Sequence, residues 1–166
     1  MSTVGIIGAM EVEVETLKKH MKVRRTVKKA HMEFCEGVLG GKEVVVVRSG
    51  IGKVNAAVCT QILVDDFKAD TVINEIQVFR GRIVSGDQFI ADKAVKNRIT
   101  ENFQGYCTEM EGAAIAQAAY LNDVPFVVLR AISDKADDSA SMDYPTFEAQ
   151  AAEHCVKLVE HFLELI

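Results

Sequence analysis

The chain of 166 residues has no apolar run long enough to cross a bilayer, no Cys-x-x-Cys pair, no internal repeat and no low-complexity linker. A membrane span is therefore not expected, and neither is a zinc site or a disulfide framework. The four cysteines, Cys35, Cys59, Cys107 and Cys155, are far apart in apolar contexts and read as buried free thiols of a reducing compartment. The histidines, His20, His31, His154 and His161, show no metal-ligand spacing. There is no excess of positive charge. The formal net charge is −5, which argues against nucleic acid as a partner, and Arg24-Arg25 and Lys28-Lys29 form only a short basic cluster, read as a solvated face or strand edge. Met1-Ser2-Thr3 leads straight into a strand without the basic region and cleavage site of a signal peptide, so a cytoplasmic protein is expected.

What is present is ordinary for a globule: 49% apolar and 26% charged residues, in a length that suits one domain over 1–166. Strands are expected over Thr3–Ala9, Ala30–Val38, Lys42–Ser49, Asp70–Asn74, Gln77–Ser85 and Pro125–Ile132, with a short polar strand at Cys107. Gly40-Gly41 marks a hairpin turn. Helices are expected over Glu11–His20, Val54–Phe67, Asp92–Phe103, Met110–Leu121 and Pro145–Ile166; the last presents Phe147, Ala151, Cys155, Leu158, Phe162 and Leu165 as its apolar face. Strands alternating with helices predict an α/β fold, a three-layer α/β/α arrangement around a mixed, mainly parallel sheet.

In such sheets ligands bind beyond the carboxyl ends of the strands, and polar residues stand at those ends. The apolar run Val127-Val128-Leu129 passes directly into Arg130-Ala131-Ile132-Ser133-Asp134. Its ordinary alternative is a strand followed by a helix cap. The first strand passes through Gly8-Ala9-Met10 to Glu11 and Glu13, two acids that the helix dipole alone would favour. Two apart on a helix, they point away from each other, so at most one faces a pocket. The glycine spacing lacks the third glycine of a dinucleotide fingerprint, and the two acids would repel phosphate, so no dinucleotide cofactor is expected. In Glu109-Met110-Glu111-Gly112 two carboxylates again open a helix. A carboxylate placed there can accept two hydrogen bonds from a ribose diol; the ordinary alternative is again helix-terminal acids at the surface.

Taken together, Gly5-Ile6-Ile7-Gly8-Ala9-Met10-Glu11 through Glu13, Ser49-Gly50-Ile51-Gly52-Lys53-Val54-Asn55-Ala56-Ala57, Val84-Ser85-Gly86-Asp87-Gln88-Phe89-Ile90, Glu109-Met110-Glu111-Gly112-Ala113-Ala114 and Arg130-Ala131-Ile132-Ser133-Asp134 resemble the motifs of the 5′-methylthioadenosine/S-adenosylhomocysteine nucleosidases, within the purine nucleoside phosphorylase superfamily. The motifs keep the family's order and span nearly the whole chain. The resemblance implies hydrolysis of the N-glycosidic bond of these adenosine thioethers to adenine and a thioribose sugar, with no metal or organic cofactor. It assigns Glu13 to activation of the attacking water and Asp134 to protonation of adenine N7. Ser133 orients that Asp, and Arg130 lies near the water and its base. Glu111 grips the ribose hydroxyls and Met110 packs on the sugar. Phe89 stacks on adenine, the backbone of Ile90 reads the base edge, and Met10 and Ile51 are apolar neighbours of the water site. The family is typically a homodimer, and Met10, Ile51 and the first helix are candidate interface positions.

The residue types suit that chemistry. Bond cleavage leaves negative charge on the base, which a positioned acid neutralises, while the sugar becomes oxocarbenium-like. An ordinary Asp has a pKa of about 3.9, so Asp134 needs burial or a hydrogen-bond partner to deliver a proton near neutrality. Two other readings stay open: a phosphorylase of the same superfamily, which Glu13 at the nucleophile's position disfavours by repelling phosphate, and a non-catalytic nucleoside-binding or storage relative, in which a water-activating carboxylate has no use.

The chain departs from the family at one place. There the strand ending in Val72-Ile73-Asn74 runs into a Thr-Gly-x-Ala-Gly-Gly turn and a long further region; here Asn74 is followed at once by Glu75-Ile76-Gln77-Val78-Phe79-Arg80-Gly81-Arg82, which resembles the approach to a later strand. Parallel neighbours need a crossover of a dozen or more residues, so Thr71–Asn74 and Gln77–Ser85 are not expected to pair side by side. Either the protein lacks the region or the chain is a shortened form of a longer one. The abrupt join between intact motifs favours the second.

Overall fold

The computed structural model describes residues 2–74, 81–129 and 156–165. Its first strand, β1 (Thr3–Gly8), is followed by α1 (Glu11–His20), β2 (Lys22–Lys29), β3 (Met32–Leu39), β4 (Lys42–Arg48), α2 (Lys53–Phe67) and β5 (Thr71–Asn74). Then come β6 (Ile83–Ser85), α3 (Lys93–Phe103), β7 (Cys107–Glu109), α4 (Gly112–Leu121) and β8 (Phe126–Val128), with a helical stretch, α5, over 156–165. Six strands form one sheet in the order β2-β3-β4-β1-β5-β8, while β6 and β7 pair in parallel as a separate two-stranded sheet. The pairings β4–β1, β1–β5 and β5–β8 are parallel; β2–β3 and β3–β4 are antiparallel. Among the described residues, no helix is long and apolar enough to cross a membrane.

The central strands are apolar on both faces because both faces are covered. Val4, Ile6, Val44 and Val46 point to one side, where Val14 and Leu17 of α1 and Val156, Val159 and Leu163 of α5 meet them. Ile7, Val45, Val47 and Phe34 point to the other, onto Ala56, Cys59, Leu63 and Phe67 of α2 and Ile115 of α4. The result is the three-layer α/β/α arrangement expected from the order of elements. Gly5 has a packing reason: a Cβ there would lie 2.9 Å from Leu63 Cδ1. Cys59 is sealed within the second layer, and burial pushes its thiol pKa up to about 12.

Some expectations hold and others are corrected. The basic cluster of Arg24-Arg25 and Lys28-Lys29, expected on a solvated face or strand edge, lies on β2, a strand not expected from the sequence. β2 is an edge strand, exposed along its length apart from half-buried Val27, and held by pairing to β3 and by ion pairs such as Arg25–Glu36 at 2.7 Å. Of the strand expected over Gln77–Ser85, regular structure is described at Ile83–Ser85, with 75–80 outside the described residues. As expected, β5 and β6 are not neighbours: β6 pairs with β7, and β5 with β1 and β8. β8 is half-exposed at the end of the described sheet rather than an interior strand. Of the apolar face expected for α5, Phe147, Ala151 and Cys155 lie outside the described residues, Phe162 packs against the core and Leu158 is half-buried, whereas Leu165 is exposed; Val156, Val159 and Leu163, not expected there, are the buried positions.

Candidate functional site

The parallel strands bring their carboxyl ends together. β1 ends at Gly8, opposite Arg48 of β4, and the next residue, Ser49, donates its N–H to Gly8 O at 2.9 Å. Beyond Gly8 the chain turns into α1, and the Glu13 side chain folds back so that Oε2 accepts the N–H of Met10 at 2.8 Å. This fold-back requires a glycine at position 8, where a Cβ would lie 2.7 Å from Val14 Cγ1 and 3.2 Å from Glu13 Oε2. The two acids of this turn separate as their spacing predicts. Glu11 is exposed and pairs with Lys18 at 2.9 Å and Arg48 at 3.6 Å. Glu13 stays half-buried against the strand end.

From Ser49 the chain passes through Gly50 and Gly52, both at positive φ, into α2. Gly52 has φ 104 and ψ 154, a conformation nearly restricted to glycine. Its N–H donates to Glu111 Oε1 at 2.8 Å. That bond ties the loop beside Glu13 to the start of α4, so Glu13 and Glu111 flank the same Ser49–Gly52 loop. Glu111 is 3% exposed, and Met110 beside it is half-buried.

The loop after β6 is joined to the same place. Lys53 Nζ lies 2.9 Å from Asp87 Oδ2, and Gly86 N–H donates to Glu109 O at 2.9 Å. This loop carries Phe89 and Ile90. Phe89 is 71% exposed and Ile90 half-buried; Met10 is half-buried and Ile51 is 60% exposed. The structure therefore gathers the segments that carry Met10, Glu13, Ile51, Phe89, Ile90, Met110 and Glu111 around the carboxyl ends of β1 and β4. Arg130, Ser133 and Asp134 lie outside the described residues; β8, which leads to them, adds its strand to the same parallel set.

One residue of this region had no role in the sequence reading. Glu109 is buried, and its carboxylate accepts the N–H groups of Glu111 at 2.8 Å and Gly112 at 2.5 Å together with the Ser85 hydroxyl. In sequence Glu109 and Glu111 look alike; the glycine that follows them was the available signal. The arrangement is chemically asymmetric: one carboxylate at the turn after β1, another at the start of α4, and a loop with exposed apolar groups above them. Acceptors of this kind suit a hydroxylated ligand and an activated water.

Comparison with known proteins gives the family. The profile of the phosphorylase superfamily matches residues 3–75 and 74–164, two pieces that meet at Asn74-Glu75. A 5′-methylthioadenosine/S-adenosylhomocysteine nucleosidase of Exiguobacterium sp. is 34% identical over an aligned span of 221 residues, covering 94% of this chain and 95% of that protein. The crystal structure of the nucleosidase of that name from Neisseria meningitidis, in complex with methylthio-immucillin-A, superposes with a TM-score of 0.89 at 29% identity, covering all of both chains. That of the Colwellia psychrerythraea enzyme in complex with adenine gives 0.90 at 28% identity, over 98% of this chain and 95% of the other. With motifs, layers and both halves of the superfamily profile in agreement, the chain belongs to the phosphorylase superfamily and, within it, to the 5′-methylthioadenosine/S-adenosylhomocysteine nucleosidase family.

Proposed function

We propose that the protein hydrolyses the N-glycosidic bond of 5′-methylthioadenosine and S-adenosylhomocysteine, releasing adenine and the thioribose sugar, as a cytoplasmic homodimer acting in methionine salvage. The observation that carries this reading is the shared Ser49–Gly52 loop, with Glu13 folded against its β1 side and Glu111 bonded to Gly52 N–H. On this reading Glu111 accepts the ribose hydroxyls with Met110 against the sugar. Phe89 and Ile90 hold adenine, and Met10 and Ile51 line the water's side. Glu13 takes a proton from the water that attacks the anomeric carbon. Asp134, oriented by Ser133, gives a proton to N7 as the C–N bond breaks, and Arg130 stands near the water. The electron pair of that bond leaves with the base, and the sugar gains the hydroxyl.

Glu13 beside the nucleophile's position disfavours phosphate by like-charge repulsion, which sets the reading apart from phosphorolysis. The exposed apolar residues Ile51, Val54 and Val58 at the start of α2 support the homodimer, since together they form a face suited to burial against a second copy.

The reading includes a segment between Asn74 and Glu75 that the 166 residues do not contain. Two facts support it: the superfamily profile breaks at 74–75, and the alignment to the Exiguobacterium protein is longer than the 166 residues present. The intact mass of the protein from its native source decides between a real deletion, at 18.2 kDa, and a shortened form of a longer protein, at a clearly larger mass. For the activity, adenine release from 5′-methylthioadenosine in phosphate-free buffer is the test. Binding without release would favour the storage-type relative, and release only with phosphate would favour a phosphorylase.

A further inference from the structure

At the N-cap of a helix a short side-chain oxygen, of Asp, Asn, Ser or Thr, ordinarily satisfies a free N–H group of the first turn. Glu111 holds that position on α4, and its side chain makes no cap bond: Oε1 accepts Gly52 N–H at 2.8 Å and Oε2 accepts the N–H of Met110 at 3.3 Å. The first-turn donors are held from elsewhere. Glu109 Oε2 accepts from Glu111 N and Gly112 N, and Ser85 Oγ accepts from Ala113 N at 2.9 Å while donating to Glu109 Oε1. The Glu109 carboxylate fits because residue 112 is glycine: a Cβ there would lie 3.1 Å from both of its oxygens and from Val128 Cγ1. Glu109 and Ser85 close the ends of the paired strands β7 and β6, so a two-stranded sheet caps the helix.

We propose that Glu109, with Ser85, is the positioning pair that takes the first-turn donors of α4, so that the Glu111 carboxylate is held off that turn, between Gly52 and Met110, and faces the sugar's hydroxyls. The inference rests on the reading of Glu111 as the ribose-binding group. Glu109 does not touch the substrate. It fixes the backbone on which Glu111 stands, and its effect falls on discrimination between a ribonucleoside and a 2′-deoxynucleoside.

The experiment measures, by calorimetry, the affinity for 5′-methylthioadenosine and for its 2′-deoxy analogue, in a Glu13→Gln background that suppresses turnover. The background binds the ribonucleoside tighter by about tenfold or more, as expected for a hydrogen bond to a charged acceptor. Glu109→Ala brings the ratio towards one, as Glu111→Gln does, and the two together lower it no further. Glu109→Gln restores the ratio, because its carbonyl keeps both backbone donors and its NH2 can donate to Ser85 Oγ. Where Glu109→Ala fails to fold, Ser85→Ala, checked by circular dichroism, carries the test and lowers the ratio. A full ratio in the folded variant, equal loss of affinity for both ligands, or a Gln variant as impaired as the Ala variant would overturn the inference. A background without ribose preference overturns it together with the role of Glu111. A wild-type protein that shows the preference but releases no adenine counts against hydrolysis alone.

Discussion

Replacing Gly52 by Ala probes the link between backbone conformation and the site. At φ 104 and ψ 154 the position lies where a side chain is strained by about 1–3 kcal/mol. Nothing lies within 4 Å of a Cβ built there, so the cost comes from the backbone and not from a clash. The loop has two responses. It can keep its path and bear the strain, or it can rotate and give up the Gly52 N–H bond to Glu111, worth about 1.5–3 kcal/mol as a hydrogen bond to a charged group. The two costs are similar, so Tm falls by about 2–12 °C on either path at about 2–4 °C per kcal/mol for a chain of this size. Only the second path disturbs the ribose site. Gly41→Ala is the matched control: φ is +79, a Cβ there also meets nothing within 4 Å, and the residue lies in the β3–β4 turn. Differential scanning fluorimetry and steady-state hydrolysis of 5′-methylthioadenosine should show both variants destabilised, with KM raised several-fold in Gly52→Ala alone. Wild-type Tm and KM in Gly52→Ala, or an equal KM change in the control, would refute the reasoning.

The remaining predictions concern the chemistry and the core. Glu13→Gln should lower kcat about 10²–10⁴-fold, the usual contribution of a general base, with substrate binding retained by calorimetry. Asp134→Asn should nearly abolish turnover with an unchanged circular dichroism spectrum, and full activity would remove Asp134 from its role. Cys59, with its thiol pKa at about 12 and no exposed surface, should resist iodoacetamide at pH 8 in the native protein and react after denaturation, read peptide by peptide in a mass spectrometer. Leu63→Ala should cost about 2–5 kcal/mol in urea unfolding, because Leu63 is fully buried between β1 and α2.

Much of the fold can be read from local signals. β1 and β4 are continuous apolar runs covered on both faces, Gly40-Gly41 turns the β3–β4 hairpin, and the residue types of α1 match its observed bounds. β2 was not legible because Lys22–Lys29 has neither an apolar run nor clean alternation; its extended state comes from partner β3, which a local window does not contain. On α5 the buried Val156, Val159 and Leu163 were not legible because Cys155, Leu158 and Phe162 form as plausible a stripe in sequence. At the site, the separation of Glu11 from Glu13 followed from helical geometry alone. The different tasks of Glu109 and Glu111 did not, since they depend on Ser85 and Gly52 arriving from distant parts of the chain.

The most direct test of the account is adenine release from 5′-methylthioadenosine by the purified protein, with and without added phosphate. The account predicts equal rates in both conditions, with the free thioribose as the second product and activity lost in Glu13→Gln. A sugar 1-phosphate product, or no adenine from a folded protein that binds the nucleoside, would contradict it.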